Sequence, residues 1–392
     1  MRILWLSHEP GLAGAELCLV EAARGLQAKG HQVRAVVPAR AGLADRLAAA
    51  GVSVSVVDYA WWVGTDARRA VRHRLRRLRR NIRASKKLLR LVREVQPDLV
   101  VTNTLAICSG AFASRCARIP HVWYVHELFG KEGHNLFFDF GESMSLRLMN
   151  RLSDQIVVNS NAVRRQLQDW IPPEKLRVVY NAVEVPPVSR PIKRTDHRFR
   201  LIHVGRLSPS KRQEDAITAL SLLAKKDLDV SLALVGEESP EYGAFLRNLA
   251  RDLGVAERVE FIAFMEDPFS AVAASDVALM CSRGEAFGRV TIEAMKLGKP
   301  VIGAKSGGTA ELIQDGWNGF LYQLANAEDL AAKIEVLYGD RRLLMSMGRQ
   351  AQEWSQRTLN LETYASDLIN VFQEAIDHHA GRKEKMAHSL GS

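Results

Sequence analysis

The chain has 392 residues, 47% of them hydrophobic and 25% charged, with 54 Lys and Arg against 44 Asp and Glu for a net charge of +10. This composition excludes a disordered chain and a disulfide-stapled mini-domain, and at a typical ~100–200 residues per domain it predicts two domains. No run approaches the ~20 apolar residues of a membrane span, and the apolar run after Met1 is too short for a secretory signal, so the expectation is a soluble or peripheral protein that stays where it is made.

Ile3–Leu6 predicts a first strand, followed by a loop containing Gly11 and Gly14. Apolar residues at Leu17, Val20, Ala23 and Leu26 predict a helix over Glu16–Lys29, ended by Gly30. A strand over 33–37, a helix over 43–50 and a strand over 52–57 come next. Residues 68–93, from Arg68 to Arg93, then carry 13 basic side chains and no acid, which leaves 41 basic against 44 acidic in the rest of the chain. One segment therefore supplies the basic character of the whole. Within it Val71, Leu75, Leu78, Ile82, Leu89 and Val92 recur at spacings of three and four, with Ser85 in the gap, as one apolar stripe on a continuous helix. Either that stripe packs on the first sheet under a solvated basic face, or the cations hold the protein at an anionic membrane surface. Each basic residue near such a leaflet contributes roughly 1 kcal/mol. Trp61 and Trp62 before the helix, and Phe137, Phe138 and Phe140 further on, read as interfacial or acceptor contacts, with core or lid as the alternative.

Strands over 98–101, 121–125 and 155–158 complete a first half of parallel βαβ units. Residues 184–200, proline-rich and without periodicity, read as a linker. The pattern restarts with strands over 201–204, 230–235, 259–264, 276–280 and 300–304, helices near 212–226, 240–253, 267–275, 289–297 and 308–313, and helical periodicity over 326–338 and 341–377. Two such halves predict a cleft between two sheets, with ligands beyond the carboxyl ends of the strands. Cys18, Cys108, Cys116 and Cys281 lack Cys-x-x-Cys or zinc spacing and read as buried thiols of a reducing compartment.

Three clusters follow strand ends. In the first, Gly205 permits a tight turn and Arg206 and Lys211 precede a helix N-terminus, a set that suits a diphosphate as well as it suits two solvated surface charges. In the second, Glu285 lies in a loop and Glu293 one turn inside the next helix. If that helix begins near Arg289, both acids face one side and can accept hydrogen bonds from a vicinal diol, while the backbone at Phe287 and Gly288 donates to an anion. Acids in a first helical turn are also common without function. In the third, Gly307-Gly308 permits close approach of a ligand or a left-handed turn. His126, between a strand and Glu127, reads equally as a structural hydrogen-bonding group and as a functional one.

Together these segments resemble glycosyltransferase family 4, the retaining GT-B enzymes. The Glu-x7-Glu hallmark is met by Glu285 and Glu293, flanked by Gly-Arg-Leu-x-x-x-Lys (205–211), Gly-Lys-Pro-Val-Ile-Gly (298–303), Ser-Gly-Gly-Thr-x-Glu (306–311) and Asn318-Gly-Phe-Leu321. Looser matches are Gly-Ala-Glu (14–16), Val-His-Glu (125–127), Val-Val-Asn-Ser (157–160) and the segment 178–184. The resemblance implies an α/β GT-B fold, two Rossmann-like doubly wound domains facing each other across a cleft. Residues 1–183 would form the acceptor domain, 184–200 the linker and 201–361 the donor domain, with a helix over 362–380 returning to the first domain and a flexible tail over 381–392. Arg206 and Lys211 would bind the donor diphosphate, Glu293 the ribose, Glu285 the donor sugar, and the backbone of Ala286, Phe287 and Gly288 sugar or phosphate. Gly205 and Gly14 complete the donor set, although the family's Gly-Gly-Ala-Glu is Ala13-Gly-Ala-Glu16 here. His126 takes the family's active-site histidine position.

The resemblance implies a retaining, metal-independent transfer of a hexose-type sugar from a UDP- or GDP-sugar, with no cofactor. The two cations replace Mg²⁺ beside the departing diphosphate. The expected acceptor is a lipid-linked or polysaccharide glycan of the cell envelope, and the expected location the inner face of the cytoplasmic membrane, with the basic helix 68–93 on anionic lipid and no nucleic acid bound. The alternatives are a GT-B sugar-nucleotide epimerase, a glycosyl phosphorylase, and a non-catalytic nucleotide-sugar or polyanion-binding module.

Overall fold

Short β-branched runs buried on both faces need helices on both sides of a parallel sheet, and the structure supplies them twice. The computed structural model describes residues 1–64, 71–130, 136–188 and 197–390, the last eight by backbone alone. Arg68, Arg69, the middle of the linker and Gly391-Ser392 lie outside the described residues. The chain divides into two units, Met1–Ala182 with the segment from Leu361 onward, and Val183–Asn360.

The first unit opens with β1 (Arg2–Leu6), α1 (Gly14–Ala28), β2 (Gln32–Val37), α2 (Gly42–Ala49), β3 (Ser53–Val56), β4 (Val63–Gly64) and α3 (Val71–Val95). It continues with β5 (Leu99–Asn103), α4 (Ser109–Ala117), β6 (His121–Val125), β7 (Phe137–Phe138) and α5 (Glu142–Leu152). β8 (Gln155–Val158), α6 (Asn161–Leu167) and β9 (Leu176–Val178) complete it. Its parallel sheet has the order β3-β2-β1-β5-β6-β8-β9, with Leu4 opposite both Arg34 and Val100. The strand order reverses between β1 and β5. A small antiparallel pair, β4 with β7, sits apart from that sheet.

The second unit runs β10 (Phe199–Val204), α7 (Gln213–Ala224), β11 (Val230–Val235), α8 (Pro240–Asp252), β12 (Val259–Ile262), α9 (Phe269–Ala274) and β13 (Val277–Met280). α10 (Arg289–Lys296), β14 (Val301–Ala304), α11 (Thr309–Leu312), β15 (Gly319–Tyr322), α12 (Ala327–Gly339) and α13 (Arg341–Thr358) follow. Its six parallel strands have the order β12-β11-β10-β13-β14-β15 and reverse between β10 and β13. That reversal is where an open α/β sheet takes its ligand.

The helical periodicity over 341–377 is two helices rather than one. It breaks at Leu359-Asn360, and α14 (Leu361–Leu390) belongs to the first unit. There Tyr364, Leu368 and Phe372 join Trp5, Leu19 and Leu26 in one buried cluster. Each such side chain contributes ~1.5–3 kcal/mol on burial. Gly25 sets the spacing between α1 and α14, because a Cβ there would stand 2.9 Å from the Ala365 Cβ. The segment expected as a flexible tail is helical through Leu390, a run of strong helix formers such as Arg382, Lys383, Glu384, Lys385, Met386 and Ala387.

Of the stripe on α3, only Val92 packs on the first sheet. The face the helix buries is Asn81, Ala84, Leu88 and Val92, packed with Leu4, Leu6 and Tyr59, while Val71, Leu75, Leu78 and Ile82 stay exposed. Ser109 and Ala113 of α4 take α3 close, Ser109 Oγ donating to Asn81 Oδ1 at 3.2 Å and Ala113 packing with Ala84 and Leu88, so the small face of α3 is the inner one. Trp62 and Phe138 are core, with Trp62 stacked on Trp123 at 5.8 Å, and only Phe140 of the expected aromatic contacts is largely exposed. Cys18, Cys108 and Cys281 are buried as expected, but Cys116 is exposed.

Candidate active site

The carboxyl end of β10 turns sharply. Gly205 has φ +146 and Gly236, at the end of β11, φ +153. A Cβ on Gly236 would lie 2.3 Å from the Gly205 carbonyl oxygen, so the two loops touch through backbone and only glycine fits there. The loop 205–211 is then pinned from below by Gln213, whose Nε2 donates to the Arg206 carbonyl at 3.1 Å. A second loop, after β13, is tied to the first by the Arg283 amide donating to the Ser210 carbonyl at 2.9 Å. A third, after β14, is tied to the second by the Gly308 amide donating to the Glu285 carbonyl at 2.7 Å and by the Ser306 hydroxyl donating to the Arg283 carbonyl. Three loops from three strands thus form one rim at the switch point.

On that rim Lys211 Nζ donates to Glu285 Oε2 at 2.5 Å, with both side chains about a fifth exposed. Residues 74 positions apart in sequence, predicted separately for diphosphate and sugar, meet as a direct ion pair. Gly288, with φ +98, caps α10, and a Cβ there would lie 3.5 Å from the Glu285 Cγ. Glu285 therefore rests against the positive end of that helix. Glu293 lies one turn in, 4.0 Å from the Arg289 guanidinium. Phe287 anchors the loop by burying its ring with Val183, Ile292 and Leu312. Arg206 is not drawn into the pair. Its guanidinium bonds Glu237 at 2.9 Å on the surface, with both side chains about two-thirds exposed.

The Gly307-Gly308 pair takes the left-handed turn, φ +57 at Gly307, and its near neighbour is protein. Cβ atoms on Gly307 and Gly308 would stand 2.2 Å from the Glu285 carbonyl oxygen and 2.4 Å from that of Ala286. His203, missed in the sequence, lies fully buried on β10; burial and the neighbouring Lys211 ammonium lower its pKa to about 4, so a neutral imidazole backs the pair. The only signal for it was a histidine inside an apolar strand. Gln213 and Gly236 gave no motif at all.

In the first unit, Gly14 is exposed and opens α1, and Glu16 is wholly buried. Glu16 accepts from Ser7 Oγ at 3.1 Å and faces His8 Nδ1 at 2.9 Å. Burial alone would lower the His8 pKa, but the bond to Glu16, with Glu127 and Glu9 nearby, raises it. Burial raises Glu127 in turn, against the opposing pull of His8 and of the amides of Leu105 and His126. His126 closes β6. Its Nε2 lies 2.9 Å from Asn103 Oδ1, while Asn103 Nδ2 donates to the Ala15 carbonyl at 3.1 Å. That orientation of Asn103 makes Nε2 the protonated nitrogen of His126. The ring also packs on Tyr124 at 4.0 Å between centroids.

Residues 12–185 match the family model "Glycosyltransferase Family 4", and residues 188–354 match "Glycosyl transferases group 1". The chain belongs to glycosyltransferase family 4. It is 27% identical over 233 residues to the N-acetyl-alpha-D-glucosaminyl L-malate synthase of Bacillus anthracis, 57% of this chain and 60% of that protein. It is 32% identical over 204 residues to the D-inositol 3-phosphate glycosyltransferase of Pseudarthrobacter chlorophenolicus, 50% of this chain and 48% of that protein. The matches thus span about half to three-fifths of these curated relatives. Anabaena HepE, crystallised with UDP and with UDP-glucose, is 26% identical with a TM-score of 0.77 for the UDP complex, over 95% of this chain and all of HepE. A Rickettsia africae glycosyltransferase shares the fold at 18% identity and TM-score 0.78, over 96% of this chain and 98% of its own. This family 4 member therefore has the GT-B architecture of two doubly wound units.

Proposed function

We propose that this protein is a retaining glycosyltransferase that moves a sugar from a nucleoside-diphosphate sugar to a lipid-linked or glycan acceptor in cell-envelope synthesis. The observation that carries the reading is the Lys211–Glu285 pair at the β10/β13 switch point, beside the N-terminus of α10. Breaking the anomeric bond leaves an oxocarbenium-like sugar and a diphosphate with added negative charge. Lys211 turns from Glu285 to that charge, Arg206 exchanges Glu237 for phosphate, and the first amides of α10 add their dipoles. These groups carry the charge that a metal carries elsewhere. Glu285, released from Lys211, accepts the donor sugar's hydroxyls, and Glu293 those of the ribose. The departing phosphate takes the acceptor's proton on the face it leaves, and the new bond forms there, so configuration is kept without a covalent enzyme intermediate. His126, held as the Nε2–H tautomer by Asn103, is assigned to the reacting sugar and acceptor.

UDP- and GDP-sugars are the donor classes, and the HepE complexes favour UDP. The exposed cations of α3 support a location on the inner face of the cytoplasmic membrane, and among the described residues no helix is long and apolar enough to cross a membrane. The test is product analysis with a panel of nucleotide sugars and lipid-phosphate glycan acceptors, in EDTA. The reading predicts an α-linked product from an α-linked donor, unchanged by the chelator. An inverted linkage, or donor untouched across the panel, contradicts it.

A further inference from the structure

The stripe that α3 turns outward leads into a groove. Leu78, Ile82 and Leu89 of α3 form one wall, and Phe112 of α4, Phe140 and Leu148 of α5 form the rest, around about 500 Å³. That lies within the ~300–1,000 Å³ of ordinary ligand pockets. Its lining is almost entirely carbon, and the polar groups at its inner end are occupied. The Arg77 guanidinium donates to Asp139 at 3.2 Å and to the carbonyls of Trp61 and Val63. Asn81 Oδ1 accepts from the Ala60 amide at 2.8 Å and from Ser109 Oγ at 3.2 Å. A polar ligand therefore finds Arg77 and Asn81 already engaged at that end. Ile82 is 50% exposed and Leu75 49%, so apolar surface continues from the groove along the helix. The exposed Lys86 stands in the groove's lining, the exposed cations Arg79, Arg83 and Lys87 lie elsewhere on the same helix, and α3 carries no acid before Glu94.

An occupant must offer hydrocarbon to the groove and negative charge to its rim. A second copy of this chain would bring the same cations face to face, and a neutral detergent-like molecule would leave them unanswered. We propose that the groove takes one hydrocarbon chain of a phosphate-bearing lipid, with its phosphate held at the Lys86 side. This deepens, and rests on, the reading of the acceptor as lipid-linked. The basic face attracts the leaflet over a Debye length, and the groove then draws a single chain out of it, which selects a lipid substrate rather than merely a surface.

The chain carries its own reporter. Cys116 lines the groove and is the one exposed cysteine of the four, while burial pushes the Cys108 thiol up to about 12. Alkylation of Cys116 by N-ethylmaleimide is followed in the full-length protein with dodecyl phosphate below its micellar concentration. At ten times its Kd the lipid should slow labelling about tenfold, since only the empty fraction reacts. Inorganic phosphate should not slow it, and dodecyl maltoside should slow it less. Ile82→Glu sits on an exposed position, so labelling without lipid should match wild type while protection is lost. Sedimentation with phosphatidylglycerol vesicles tests the basic face separately. Sedimentation without Cys116 protection overturns the groove and leaves the surface reading standing; protection without sedimentation does the reverse. Equal protection by inorganic phosphate, or by dodecyl phosphate in the Ile82→Glu variant, also overturns it.

Discussion

Glu285→Gln should tighten UDP binding several-fold while lowering sugar transfer by about 10²–10³, the usual cost of removing one preorganised polar group at a reacting centre. The opposite signs follow from one contact. Glu285 neutralises Lys211 at 2.5 Å, so a diphosphate must compete with a carboxylate for the ammonium. Glutamine keeps the shape, removes the charge and frees Lys211 for phosphate. It also gives up the charged acceptor for the sugar hydroxyls, so the product binds better and the donor reacts worse. Lys211→Met should lose both UDP affinity and turnover, because nothing replaces the ammonium when charge develops on the leaving group. Calorimetry with UDP and steady-state transfer on the same preparations separate the two effects. Weaker UDP binding in Glu285→Gln would mean that the carboxylate orders the loop rather than holding the cation in reserve.

Gly308→Ala is the second large effect. The added methyl would meet the Ala286 carbonyl oxygen at 2.4 Å and the Phe287 Cα at 2.8 Å, both backbone and unable to rotate away. The loop carrying Glu285 must shift, and overpacking of this kind costs roughly 1–3 kcal/mol. For a unit of this size each kcal/mol is about 2–4 °C of melting temperature. Donor affinity should fall by more than tenfold, because Glu285 and the amides of 286–288 ride on that loop. Gly339→Ala, with nothing within 4 Å of the new Cβ, is the matched control and should change neither. Differential scanning fluorimetry with and without UDP-sugar reads both quantities. Unchanged affinity in Gly308→Ala would detach that loop from the site.

Much of this architecture was legible because parallel strands announce themselves as short β-branched runs. The strands around 201–204, 230–235 and 276–280 fall where periodicity placed them, and so do Gly205, Glu285 and the start of α10 at Arg289. What escaped has a physical cause in each case. β9 and β15 are too short or too mixed to show a pattern of their own. Residues 341–377 keep helical periodicity across Leu359-Asn360, since neither residue breaks a helix as Pro or Gly does. The stripe on α3 was visible, but its direction was not: Ala84, Asn81 and the facing Ala113 decide which face packs, and smallness leaves no hydrophobic signal. Long-range contacts such as Lys211 with Glu285, Gly236 with Gly205 and Asn103 with His126 join different strands and have no local spacing. His126 was equally a bonding and a reacting residue in the sequence. Its bond to Asn103 supplies the first role.

The most direct measurement is a crystal structure with a non-hydrolysable UDP-sugar bound. The account predicts the diphosphate at the carboxyl ends of β10 and β13, with a phosphate oxygen at hydrogen-bonding distance, ~2.7–3.2 Å, from Lys211 Nζ, and the sugar hydroxyls on Glu285. A nucleotide sugar bound elsewhere, with the Lys211–Glu285 pair still closed, contradicts it.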